Sequence, residues 1–200
     1  MTCSGILTMA LKRAVYLTLL AAIVSCPAVS FAASFDDQVK AILSVGPEGK
    51  GHAAAIAAVK DLSQGSPDTL VPLLKAFQDA SPLATNWLRG AFENVADRQL
   101  KATGKLPADK LEAFVKDTKN NPEARRLAYE WLIKVEPAAT DRLIPGMLRD
   151  ASPEFRRDAV RRLIKSATTA REAMKQDEAI KLYRDALAGG DLDIDALEHI

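Results

Sequence analysis

From Phe35 onward the apolar residues recur at intervals of three and four, with polar residues filling the gaps and no sustained one-by-one alternation. That is the period of helices and not of strands. Val39, Ile42 and Leu43 mark a short amphipathic helix over 35–44, and an alanine-rich helix over 52–62 carries Ile56, Val59 and Leu62 on one face. Ser66 and Pro67 open the next, as cap and first helical position, and Leu70, Leu73, Leu74 and Phe77 supply its apolar stripe. Asp79-Ala-Ser-Pro82 then turns the chain into a helix bearing Leu88, Phe92 and Val95, with Ser81 as its cap. Further stripes follow at Leu111, Phe114 and Val115, then at Ile144, Met147 and Leu148. From Ala170 to Leu187 the pattern reads as one helix, broken at Gly189-Gly190.

The turn before Pro82 is written three times. Asp79-Ala-Ser-Pro82, Asn120-Asn-Pro122 and Asp150-Ala-Ser-Pro153 each lead into a helix. Six residues after each proline stand Leu88, Ala128 and Ala159, and ten after stand Phe92, Leu132 and Leu163. A small or aliphatic residue followed four later by a large one lets neighbouring helices approach closely. The first interval holds what reads as an insert, Arg98 to Pro107. Helix, tight turn, helix repeated in this way predicts stacked pairs, each hiding its apolar face against the next.

The second helices resemble those of HEAT repeats, which run turn-Asp, Pro, apolar-Arg, then Ala and Leu. The residues that carry this are Asp150, Pro153, Phe155-Arg156, Ala159 and Leu163, and then Pro122, Ala124-Arg125, Ala128 and Leu132. The middle unit has Lys119 in place of the turn aspartate, and the first has Thr85 in place of the arginine. Glu178 to Leu187 is similar to the second helix of a tetratricopeptide unit. The resemblance implies an all-α, right-handed α-α superhelix or solenoid of HEAT-like helical hairpins. It divides the chain into an N-terminal helical pair at 33–65, HEAT-like repeats at 66–166, and a C-terminal helix with the start of another at 167–200. That last helix starts at Asp191 without a cap or polar tail after it, which suggests a dimer contact, a domain junction or the front portion of a longer product.

The first 32 residues follow a different pattern. Lys12-Arg13 precedes a short apolar run, and small residues surround Ser30-Phe-Ala32. This is the layout of a secretory signal peptide cleaved after Ala32, too short in its apolar part for a membrane span. Met9 stands nearer the basic pair than Met1 and is an alternative start. Ile23-Val-Ser-Cys26 resembles a bacterial lipobox, which would instead lipidate Cys26 and tether the protein to a membrane. Cys3 and Cys26 both lie in this stretch, so the processed chain is expected to have no thiol for a disulfide, a metal or a nucleophile.

Charge narrows the function classes. With 27 basic and 26 acidic residues, no whole-molecule field favours nucleic acid, and export disfavours it further. Candidate chemistry is sparse. Gly46-Pro-Glu-Gly-Lys-Gly51 lacks the strand and the Ser or Thr of a phosphate loop and reads as a connector. His52 and His199 have no partner at ligand spacing. Asp191, Asp193 and Asp195 imitate a calcium loop but have Ala196 where glycine is needed. Trp87 and Trp131 read as packing between repeats, and no serine stands in an activating motif. No cofactor and no metal are expected.

One feature remains. Positions four, eight and twelve after each proline point away from the apolar face and hold Asn86, Gly90 and Asn94, then Arg126, Glu130 and Lys134, then Arg157, Arg161 and Lys165. In a HEAT array the second helices line the concave side, so these residues form a strip that grows more basic toward the third unit, with Glu123, Glu154 and Asp158 near enough in sequence to neutralise part of it. The expectation is a non-catalytic protein–protein interaction scaffold of the bacterial cell envelope, periplasmic or secreted, whose strip docks an acidic protein segment or a polyanionic glycan. The alternative is a HEAT-type lyase, or the adaptor region of a larger exported enzyme.

Overall fold

The computed structural model describes residues 33–189. The expected signal segment with its cleavage point at Ala32, the lipidation candidate Cys26, the aspartates 191, 193 and 195 and His199 lie outside them. Among the described residues there are nine α-helices and no strand: α1 (Phe35–Leu43), α2 (His52–Leu62), α3 (Leu70–Lys75), α4 (Pro82–Thr103), α5 (Ala108–Lys116), α6 (Pro122–Val135), α7 (Ala139–Leu143), α8 (Pro153–Glu172) and α9 (Gln176–Ala188). The chain is all-α. Short 3-10 turns, Pro67–Thr69 and Ala76–Asp79, flank α3, and another, Ile144–Met147, follows α7. Pro72 and Pro145 remove backbone donors in these segments and keep them short and tight.

The helices pack as consecutive pairs: α1 on α2, α3 on α4, α5 on α6, the 3-10 turn after α7 on α8, and α8 on α9. Successive pairs also touch, α4 meeting both α1 and α2, and α3 meeting both α5 and α6. The repeated positions do the joining. Leu88, Ala128 and Ala159 are buried, as are Phe92 and Leu132, while Leu163 is half-buried in a smaller cluster with Val160, Ile164 and Ala186. The stripes Leu70, Leu73, Leu74, Phe77 and Leu111, Phe114, Val115 belong to the main core.

Each second helix starts where its proline is. Proline at the first helical position fixes φ and loses a donor that would have had no partner there. Ser81 Oγ accepts from the Ala84 N–H at 3.2 Å, and Asn121 Oδ1 accepts from the Glu123 and Ala124 N–H groups. Before Pro153 the cap is built differently. Asp150 Oδ1 accepts from the Ser152 N–H at 2.9 Å, and the Ser152 hydroxyl donates to Glu154 Oε2 at 2.7 Å. Ser66 makes no side-chain cap; its carbonyl accepts from the Thr69 hydroxyl instead.

Three expectations are corrected. In α2 the buried face is Ala55, Ala58 and Leu62, and Ile56 is 57% exposed. The alanines win because α2 lies against α1 and α4, where a small side chain allows contact that a branched one blocks. The stretch Arg98–Thr103 is no insert but the end of α4, stopped by Gly104 in the left-handed region at φ 69°. The Arg98 guanidinium donates to Gln64 Oε1 and the Gly65 carbonyl, which ties the extension to the turn after α2. Finally, Ala170–Leu187 is two helices. α8 runs through the expected boundary at 166 and ends in a Schellman turn, with Lys175 N–H donating to the Ala170 carbonyl and Met174 N–H to that of Arg171. Met174 stands there at φ 60°, where glycine is usual.

Candidate functional site

The second helices α4, α6 and α8 are linked side to side. Phe92 of α4 meets Trp131 of α6 edge to face, with ring centroids 6.3 Å apart, and Tyr129 of α6 meets Phe155 of α8 at 5.4 Å. Trp131 is therefore packing between units. Trp87 is half-buried and tilted against His52 at 5.6 Å, which places that histidine against an aromatic ring. No group of three His, Cys, Asp or Glu among the described residues is placed to hold a metal ion.

One buried link between units escaped the reading of the strip. The Arg125 side chain is 1% exposed and donates from Nη1 and Nη2 to the two carboxylate oxygens of Asp150, at 2.8 and 2.7 Å, and from Nε to the Val115 carbonyl at 2.7 Å. Its guanidinium also lies over the Phe155 ring. Burial works to push the Asp150 carboxyl up, but the Arg125 hydrogen bonds, the Ser152 N–H and the charges of Arg125 and Arg156 outweigh it and hold the carboxyl below its ordinary range. The bidentate fork fixes the turn before α8 relative to α6. Its signal in the sequence was present in the apolar-Arg and turn-Asp positions; what the sequence could not show is that they pair across units.

The strip itself divides. On α6 its Arg126 and Glu130 join a chain of alternating charges with Arg89 and Glu93 of α4, which lie outside the strip: Glu93 to Arg89 at 3.8 Å, Arg89 to Glu130 at 3.9 Å, Glu130 to Arg126 at 3.1 Å, and Arg126 to Asp158 of α8. Arg126 also lies over the Tyr129 and Phe155 rings. Burial opposes its charge, yet Asp158 first and Glu130 second hold it more firmly protonated than an ordinary arginine. Lys134 covers the Trp131 ring at 3.3 Å. Asn86 is exposed, Gly90 faces open space, and Asn94 donates to Ser63 Oγ at 3.1 Å. These residues are engaged with the protein or carry no charge.

The α8 part is different. Arg157, Arg161 and Lys165 are all exposed, and among the described residues neither Arg157 nor Lys165 forms an ion pair. Arg161 and Lys165 line a cleft of about 420 Å³ between α6, α7 with its 3-10 turn, and α8. Tyr129, Ile133 and Ile144 give it an apolar floor, and Arg162, paired with Asp141 at 2.7 Å, stands on its rim. Arg162 and Lys165 also border a second depression of about 410 Å³, which continues along α8 over Ser166, Thr169 and Ala173 to Lys175. The sequence strip missed Arg162, although it adjoins Arg161, and missed the apolar floor, which comes from three separate elements.

The geometry is a neutralised ladder on α4 and α6 leading to a cleft with a basic edge on α8. Glu93, Glu130 and Asp158 are each held by an arginine. No protein-family model, no curated protein and no solved structure matches this chain.

Proposed function

We propose that this chain is a non-catalytic protein–protein interaction scaffold of the bacterial cell envelope, with its helix pairs arranged as a right-handed α-α superhelix of HEAT-like hairpins. Residues 1–32 act as its export signal, and the α8 end of the second-helix face is where a partner docks. The observation that carries this reading is the linkage of α4, α6 and α8 by ring contacts and by the chain from Glu93 to Asp158, ending in the cleft edged by Arg161 and Lys165. Side chains locked to one another make a rigid surface, and a rigid surface binds without losing much conformational freedom. Carboxylates tied to arginines on that face suit recognition better than proton transfer.

Two measurements test it. The full chain, expressed in a bacterium and recovered from its envelope fraction, should have the mass of a chain beginning at Ala33; a chain beginning at a lipidated Cys26 would make it membrane-anchored, and an intact chain in the cytoplasm would overturn export. A photo-cross-linking residue placed at Arg157 should give a discrete protein adduct in the envelope, while the same residue at the exposed Ile56 should not. Equal labelling from both positions, or none from either, would end the scaffold reading.

A further inference from the structure

Resting on that reading, we propose that the cleft along α8 takes an extended acidic peptide whose apolar side chain sits on Tyr129, Ile133 and Ile144 while its carboxylates meet Lys165 and the Arg161–Arg162 edge. The two depressions share Arg162 and Lys165 and are both lined by α8. Between Asp158 and Ala173 the helix axis rises about 22 Å, at about 1.5 Å per residue. A chain in extended form covers that length with about seven residues.

Charge selects the class of occupant. Lys165 borders both depressions and forms no ion pair among the described residues, so a carboxylate there gains an attraction that costs none of the bonds these residues make. The rest of the edge is punctuated by acids. Asp158 holds Arg126, Asp141 holds Arg162 at 2.7 Å, and Glu178 holds Lys175 at 3.4 Å. A uniformly charged polymer such as a nucleic acid or a sulfated glycan would set phosphates or sulfates against those carboxylates. Separated carboxylates on a peptide can avoid them. The apolar floor points the same way, since a glycan has no aliphatic side chain to bury on Tyr129, Ile133 and Ile144, and burying one contributes free energy in proportion to its area.

The test is selection from a displayed random heptapeptide library on the full folded chain, repeated on Arg161→Glu/Lys165→Glu. Both positions are exposed, so the variant should keep its helices, which its circular dichroism spectrum checks. Wild type should enrich sequences with two or more Asp or Glu around a Leu, Ile, Val or aromatic residue. Chosen peptides, synthesised and titrated, should bind the double variant at least ten-fold more weakly and should weaken as salt rises. Replacing Ile133 with Ser should reduce affinity for the apolar-bearing peptide while leaving that for an all-Glu peptide unchanged. Peptides that bind the double variant as well as wild type would place the docking surface elsewhere, so that the scaffold reading stands and this cleft falls. Enrichment without acids, or a sulfated glycan that competes as well as the peptides do, would overturn the peptide assignment. No enrichment at all would count against both readings.

Discussion

Arg125 and Asp150 show how much one pair can decide. Both side chains are nearly inaccessible, at 1% and 4%, so neither charge has water to fall back on. Removing the carboxylate alone, as in Asp150→Ala, leaves a buried unpaired guanidinium and should cost about 3–5 kcal/mol in urea unfolding, whereas Arg125→Met with Asp150→Leu should recover most of the loss. Because the folded carboxyl is held below its ordinary range, its stabilising contribution is complete above the unfolded value of about 3.9 and disappears as pH falls through the lower folded value. Stability measured against pH should therefore drop below about pH 4 in the wild type and lose that component in Asp150→Asn. At the same scale, Met174 sits at φ 60° and is 83% exposed, so it bears backbone strain with little burial in return. Met174→Gly should raise stability by about 1 kcal/mol, seen as a higher melting temperature. An unchanged or lower value would mean that the turn does not need the left-handed conformation.

At the scale of elements, the second helices owe their starts to proline plus a cap, and the caps are not equivalent. Asn121 both accepts from two N–H groups of α6 and donates to the Phe77 carbonyl at 3.3 Å, so it caps one pair while holding the previous one. Asn121→Ala should cost at least about 1 kcal/mol in thermal unfolding, and Asn121→Asp should restore the cap without the bond to Phe77. Their difference then measures the bond between pairs. Helix boundaries were the least legible feature of the sequence. Starts were clear where proline and a polar residue coincide, at Pro82, Pro122 and Pro153. Ends were less so: α4 runs on to Gly104, and α8 stops at Met174, a residue with no tendency to end helices. There the Schellman hydrogen bonds and the packing of α9 on α8 impose a turn that local preference does not encode.

Across the described residues as a whole, the apolar interior falls into two clusters bridged by the partly buried Leu148. The main core runs from Ile42 to Ala159, and Val160, Ile164 and Ala186 form a smaller one between α8 and α9. Hydrogen exchange should accordingly be faster in α9 than in α4 and α6, since opening α9 uncovers only the smaller cluster. Equal protection in all three helices would show instead that the two clusters unfold as one. The proposed cleft lies beside this boundary, on α8, which both clusters share.

The apolar period, the thrice-repeated turn and the prolines were enough by themselves to establish an all-α chain and the places where its second helices begin, because helix period and helix starts are local properties of the backbone and its nearest side chains. They were enough also to select Arg157, Arg161 and Lys165 as outward-facing cations. Which cations stay available was decided only in three dimensions. Arg126 and Arg157 occupy matching positions in their repeats, yet Arg126 is held by Asp158, a residue 32 positions away on another helix, while Arg157 forms no ion pair among the described residues. The same holds for α2, where hydrophobicity favoured Ile56 and close packing chose Ala55 and Ala58. Partners and distances of approach depend on which helices lie side by side, and no local pattern carries that information.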